Sequence, residues 1–324
     1  MVQRTCTNAS QFVRKLRGGS NPVLLTASDD QQYVVKFLNN FQGPNLLFNE
    51  ALGSALFRRV GLSSPEWLPV YVSEDFIDQN PDCWMQTDSG SVRPTAGWCF
   101  GSKFLGLKNV STYEILSGRS FSRIMNRKDF LTAWVLDVLC EHADNRQAIF
   151  VEDDTRCLEA CFIDNGHLFG GPLGTTSPSF LMSRYLDPRI YPDVSEEDAD
   201  DIQRKIQSAD LATFAIDTAA NLPDTWKTPT TNSRIERFSE GISNSVLLKN
   251  LISFILGSVE QAKKDHDRRL AQYAIEYKPV HLCPQIPEVA VRDRIDRWGG
   301  DFVGDQRRRG PEAVRPSYPQ AAGF

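Results

Sequence analysis

The spacing of apolar and polar positions changes character near residue 107. Before it, apolar residues come in short β-rich runs. Val23-Leu24-Leu25 and Tyr33-Val34-Val35-Lys36-Phe37 flank Ser28-Asp29-Asp30, a turn composition, and predict a β-hairpin. Phe48 to Val60 places apolar residues at Phe48, Leu52, Leu56 and Val60, the i, i+4 stripe of an amphipathic helix. Gly61 follows where a helix C-terminus favours glycine. Leu68–Val72 and Trp98–Leu105 read as further strands. The stretch 77–97 between them carries Pro, Asp, Ser and Gly and reads as an exposed insertion.

After residue 107 the pattern is mainly helical. Phe130–Cys140 (FLTAWVLDVLC) is strongly apolar and predicts a buried helix. Two short strands follow, Ala148–Val151 and Ala160–Ile163, with Glu152–Arg156 as their turn. Ser195-Glu196-Glu197-Asp198 has the N-cap and acidic first turn that open a helix. Ser243 to about Tyr277 predicts one long helix or two in succession. Beyond Lys278 the chain is rich in Pro, Gly and Arg, so residues 280–324 are expected to form a mostly disordered tail. Arg307-Arg308-Arg309 lies there in a run of mixed charge, the pattern of a solvated tail. The predicted class is therefore α+β. A β-rich lobe with one helix (residues 1–106) precedes a helical lobe with one small hairpin (107–279), and a cleft is expected between them.

Composition narrows the function classes. The 324 residues suffice for a well-buried core. A net charge of −5 argues against nucleic-acid binding by bulk electrostatics. Seven cysteines without a pairing pattern read as reduced thiols, hence a cytoplasmic protein. No apolar run approaches ~20 residues, so no membrane span is expected. The first residues lack the apolar run of a signal peptide.

Four places carry candidate chemistry. Lys36 alternates out of an apolar strand, where an ammonium is costly to bury without an anionic partner. Fourteen residues later, Glu50 opens the amphipathic helix. A strand lysine followed by a helix glutamate is the arrangement that holds nucleotide phosphates in protein kinases; the competing reading is a lysine at a strand edge reaching to water. The turn Arg17-Gly18-Gly19-Ser20-Asn21-Pro22 frees backbone N–H groups to face phosphate oxygens, or is a plain hairpin turn. Glu141-His142-Ala143-Asp144-Asn145-Arg146-Gln147 wedges polar residues between two apolar runs. Asp144 there could orient or deprotonate a hydroxyl, and Gln147 could offer an amide oxygen to a metal. Asp164 ends a strand before Asn165-Gly166, a position from which a carboxylate can hold Mg²⁺ across phosphates, or a simple turn. A zinc set of Cys157, Cys161, His142 and His167 is a rival, but no C-x-x-C spacing supports it.

The segments RGGSNP, YVVKF, NNFQG and LFNEALGSALFRRVGLSSPE resemble the N-terminal lobe of HipA-like kinases. WCFGSKFLG resembles their interlobe segment, and HADNRQAIF and FIDNGHLFGG their catalytic and metal-binding loops. The resemblance covers roughly residues 14–230. It implies a bilobal protein-kinase-like fold and a phosphotransferase using ATP and Mg²⁺. It further implies Lys36 on the α- and β-phosphates with Glu50 as its partner, and Gly18, Gly19, Ser20 and Phe104 around the nucleotide. Asp144 would be the catalytic carboxylate, and Asp164 and Gln147 the metal ligands. The substrate implied is a Ser or Thr hydroxyl of a protein, or a small hydroxyl compound. One feature departs from the family pattern. The asparagine that usually follows the catalytic aspartate by five positions is missing; the loop is two residues shorter, with Gln147 in its place. A nucleotide-binding pseudokinase is the alternative.

Overall fold

A computed structural model describes residues 6–106, 110–174 and 183–276. The first ten elements are β1 (Thr7–Lys15), β2 (Val23–Ala27), β3 (Gln32–Lys36), α1 (Leu46–Arg59), β4 (Trp67–Val72), α2 (Glu74–Gln79), β5 (Met85–Thr87), β6 (Gly90–Val92), β7 (Gly97–Lys103) and β8 (Ser111–Tyr113). Next come α3 (Asp129–Leu139), β9 (Gln147–Glu152), β10 (Leu158–Ile163), α4 (Glu196–Ser208), α5 (Leu211–Ala220), α6 (Thr231–Ser243) and α7 (Ser245–Glu276). The described residues up to Tyr273 belong to one compact unit. The expected tail, 280–324, lies outside the described residues.

The first part of the chain builds a closed barrel in the order β1-β2-β3-β7-β4, with a parallel pair, Thr7↔Val70 and Asn8↔Tyr71, completing the ring. Closure leaves none of these strands with a free edge. Side chains alternate along β3 and the residue after it. Tyr33, Val35 and Phe37 enter the barrel core with Val23, Leu25, Val70, Val72 and Cys99. The same alternation puts Lys36 on the outer face. The expected insertion carries α2 and the β5–β6 hairpin, and Arg93 ties it together by pairing with Glu74 and Asp78. The last expected helix is the single helix α7, and α6, which precedes it, meets it at a bend of 79°. No single described helix is long and apolar enough to cross a membrane.

A second core joins α1 to α3, the β9–β10 hairpin and α4 to α7 around Phe57, Phe130, Trp134, Phe150, Phe162 and Trp226. Phe130 meets Phe162 edge-on at 4.9 Å between ring centres. Trp226 Nε1 donates to the Trp98 carbonyl at 2.7 Å, which fastens the helical part to β7.

Helix α1 approaches the segment after β10 most closely at Gly53. A Cβ there would stand 2.6 Å from Asn165 Cβ and 2.4 Å from Leu168 Cδ1. Alanine is the better helix former by up to ~1 kcal/mol, but overpacking costs about 1–3 kcal/mol. Gly53→Ala is therefore expected to lower the thermal midpoint. A raised midpoint in a melting experiment would show that α1 has room to spare.

Candidate active site

Lys36 is brought to α1 by β3. Its Nζ donates to Glu50 Oε1 and, at 2.8 Å, to Asp164 Oδ1. Lys36 and Glu50 are 7% and 2% exposed, so neither reaches water freely. The strand-edge reading of Lys36 is thereby excluded.

Asp164 follows β10 with φ +61°, a left-handed conformation rare for a residue with a side chain. The consequence is visible in the next two residues. The N–H groups of Asn165 and Gly166 both turn onto Glu50, donating to Oε2 at 3.1 Å and Oε1 at 3.0 Å. Asn165 is fully buried and donates to Ser54 Oγ at 3.0 Å. Helix α1 thus holds the Asp164 turn by main chain and side chain together.

Burial disfavours the Lys36 ammonium, but Asp164 and Glu50 outweigh it and hold the group protonated above its usual range. Burial also opposes ionised Asp164, yet the Lys36 charge and hydrogen bond keep that carboxyl well below its usual range. Glu50 is pushed up by its burial, with Asp164's charge adding to the push against the pull of Lys36. One ammonium thus lies between two carboxyl groups, of which Asp164 is the one held ionised.

Gln147 opens β9 opposite Ile163, and its Nε2 donates to Asp164 Oδ2 at 3.0 Å. Asp144 sits in a loop tied to the Asp164 segment on both sides. Ala143 N–H donates to the His167 carbonyl at 2.9 Å, and Gln147 pairs with β10. The Asp144 carboxylate is half-buried, accepts the Asn145 N–H at 2.7 Å and makes no ion pair among the described residues.

The Gly18-Gly19-Ser20 turn joins β1 and β2 at the Lys36 end of β3, where Val23 pairs with Val35. Gly18 has φ +140°, and the Ser20 carbonyl accepts from Asn40 Nδ2 at 2.7 Å. Phe104 stands at the other end. Lys36 pairs with Phe100, while the Phe104 N–H donates to the Gln32 carbonyl at 2.9 Å. Four residues of strand, about 13 Å, separate the two levels. Phe104 therefore does not join the Lys36 cluster.

Several supporting residues carry no signal of their own in the sequence. Arg146, 2% exposed, forks onto Asp137 of α3, with Nε to Oδ2 at 2.8 Å and Nη2 to Oδ1. It also donates to the Ile163 carbonyl at 2.8 Å and Asn165 Oδ1 at 2.9 Å, and lies over the Phe57 ring. His142 is buried against this pair, 3.4 Å from Asp137 Oδ1, and burial with the Arg146 charge keeps it neutral. The zinc set is not assembled. Among the described residues no group of three or more His, Cys, Asp or Glu side chains is placed to hold a metal. Two cavities of about 580 Å³ open elsewhere, one near Met125 and Asn126 and one between Trp67, Lys103 and Phe214. Neither reaches Lys36 or Asp164, so the chemistry rather than the concavity marks the site.

No family model matches the sequence, and no curated protein matches it. Among solved structures, the Golgi casein kinase with Mn and ADP bound is similar at 11% identity and a TM-score of 0.45, over 80% of this chain and 75% of that one. A second structure of the Golgi casein kinase gives 12% identity and a TM-score of 0.42 over the same shares. The functional reading rests on the geometry around Lys36.

Proposed function

We propose that the chain is an ATP- and divalent-metal-dependent phosphotransferase of protein-kinase-like fold. The observation that carries this reading is the buried Lys36 ammonium held between Glu50 and Asp164, at the end of β3 that also bears the glycine turn. Lys36 would meet the α- and β-phosphates, and Glu50 fixes its position. Magnesium is commonly held by one or two carboxylates completed by substrate phosphates and water. Asp164 and, with its amide turned to present oxygen, Gln147 suit that chemistry. When bound, the metal would supply positive charge at the phosphates. Asp144 would orient the acceptor hydroxyl and take its proton as the oxygen attacks the γ-phosphorus and the bond to the β–γ bridging oxygen breaks. The acceptor class, a protein Ser or Thr hydroxyl or a small hydroxyl compound, follows the HipA-like resemblance.

The second reading, a nucleotide-binding pseudokinase, is favoured by one feature. Only Asn145 and Arg146 separate Asp144 from β9, and Gln147 offers Asp164 its N–H rather than its oxygen. Nucleotide titration with and without Mg²⁺, followed by incubation with labelled ATP, separates the two. Asp164→Asn is expected to remove the metal's contribution, weakening binding in Mg²⁺ by about tenfold. Unchanged affinity in that variant would remove Asp164 as the metal ligand. Tight metal-dependent binding without transfer or hydrolysis in the wild type would establish the pseudokinase.

A further inference from the structure

The main chain after Asp164 is gripped from two helices. Asn49 of α1, fully buried, donates through Nδ2 to the carbonyls of Gly166 and Leu168, both at 2.8 Å, and of Gly171 at 3.3 Å. Its Oδ1 accepts from Arg234 Nη2 of α6 at 2.9 Å. Arg234, 3% exposed, also places Nε and Nη2 on the Phe169 carbonyl at 3.0 and 2.6 Å. Four residues later on the same helix face, Phe238 packs edge-on against the Phe169 ring at 5.8 Å. Asp164, Phe169, Gly170 and Gly171 all have positive φ, so this is a conformation that surrounding groups must impose.

The cost of the grip indicates what it is for. Arg234 makes no ion pair among the described residues, and its Nη1 has no hydrogen-bond partner. A buried guanidinium without a carboxylate is expensive. Here its forked donors reach two acceptors at once, a geometry that lysine cannot reproduce. One acceptor, the Phe169 carbonyl, lies on the turn that follows Asp164, and the other, Asn49 Oδ1, on α1, which grips the same turn.

We propose that α6, through Arg234 and Asn49, positions the Asp164 turn and so sets the metal requirement of the site. Arg234 is a positioning residue here, and the proposal rests on the reading of Asp164 as metal ligand. Movement of α6 would loosen that turn while leaving Lys36 and Glu50 paired. Metal-dependent and metal-independent nucleotide binding would then part company.

The test uses the full chain and ADP, which needs no turnover. Calorimetric titration of ADP across a series of Mg²⁺ concentrations is compared for wild type, Arg234→Lys, Asn49→Ala and the double variant. In both single variants the Mg²⁺ needed for half-maximal enhancement should rise at least about fivefold, with metal-free ADP affinity within about twofold of wild type. The double variant should be no worse than the worse single one, because Arg234 and Asn49 are hydrogen-bonded to each other and hold one turn as a unit. Amide hydrogen exchange over 165–171 should quicken without ligand. An unchanged metal requirement in Arg234→Lys overturns the proposal, even if exchange quickens, since the residue would then be structural only. Asp164→Asn assigns the failure. A shift there without one in Arg234→Lys sinks the positioning role alone, and no shift in either sinks the metal reading with it.

Discussion

Arg146→Met is expected to destabilise the protein by about 3–5 kcal/mol, the cost of leaving a buried carboxylate without its partner. Asp137 is fully buried, and Arg146 supplies both arms of its hydrogen bonding. The guanidinium also holds the Ile163 carbonyl, Asn165 and the Phe57 face, so its loss is felt on both sides of the Asp164 turn. In urea denaturation the folding constant should fall by a factor of hundreds to thousands. Burial already pushes Asp137 up to about 6 against the pull of Arg146, and removing the guanidinium raises it further. A carboxyl raised in the folded state keeps a proton that the unfolded chain has released. Stability therefore falls as pH climbs from about 4 through the folded-state value. Arg146→Met should stand closer to wild type at pH 5 than at pH 8. Asp137→Leu combined with Arg146→Met removes both charges and should recover most of the loss. A cost below about 1 kcal/mol for the single variant would mean that water reaches Asp137.

That ion pair also shows where reading the sequence stops. Lys36 and Asp164 were legible because each breaks a local rule, a lysine in an apolar strand and an aspartate ending a strand before Asn-Gly, and Glu50 was legible by its place on the helix fourteen residues after Lys36. Physical conflict within a short window is visible without a structure. The β2–β3 hairpin, α1, α3 and the β9–β10 hairpin were legible for a related reason, since period and turn chemistry agree within each. The barrel's closing pair, Thr7↔Val70, was not, because nothing local specifies pairing across some sixty residues. Asp137 looked like one polar residue in an apolar helix, and Arg146 like a neighbour of Asp144. Only the chain's return through Ile163 and Asn165 shows that Arg146 faces α3 instead. Asn49 and Arg234 lie 185 positions apart, and neither breaks a pattern where it stands. Phe104 was assigned from resemblance alone, and it follows the C-terminal end of β7, four residues beyond Phe100, which pairs with Lys36.

The freedom of Asp144 leads to the sharpest kinetic expectation. Of the carboxylates around this site, Asp137 is bound by Arg146, and Glu50 and Asp164 by Lys36. Among the described residues Asp144 accepts the N–H of its neighbour Asn145 and makes no ion pair, and it stays half-exposed. A carboxylate without an ion pair among the described residues, in a loop stitched to the Asp164 turn, suits the proposed role of accepting a proton. General-base catalysis contributes about 10²–10⁴-fold. Asp144→Ala should therefore cut phosphoryl transfer by at least ~10²-fold, with ATP affinity changed by less than about twofold, because the interaction is made mainly in the transition state. The melting temperature should hardly move, since no buried contact is lost. Asp144→Asn keeps the shape and the hydrogen bond from Asn145 but cannot take a proton, so it should be as slow as alanine if proton transfer is the role. If instead asparagine retains most of the rate, Asp144 orients the hydroxyl without accepting its proton. Single-turnover transfer from labelled ATP, paired with equilibrium titration of the nucleotide, reads both quantities. Loss of affinity in step with loss of rate would place Asp144 in nucleotide binding rather than in the chemical step.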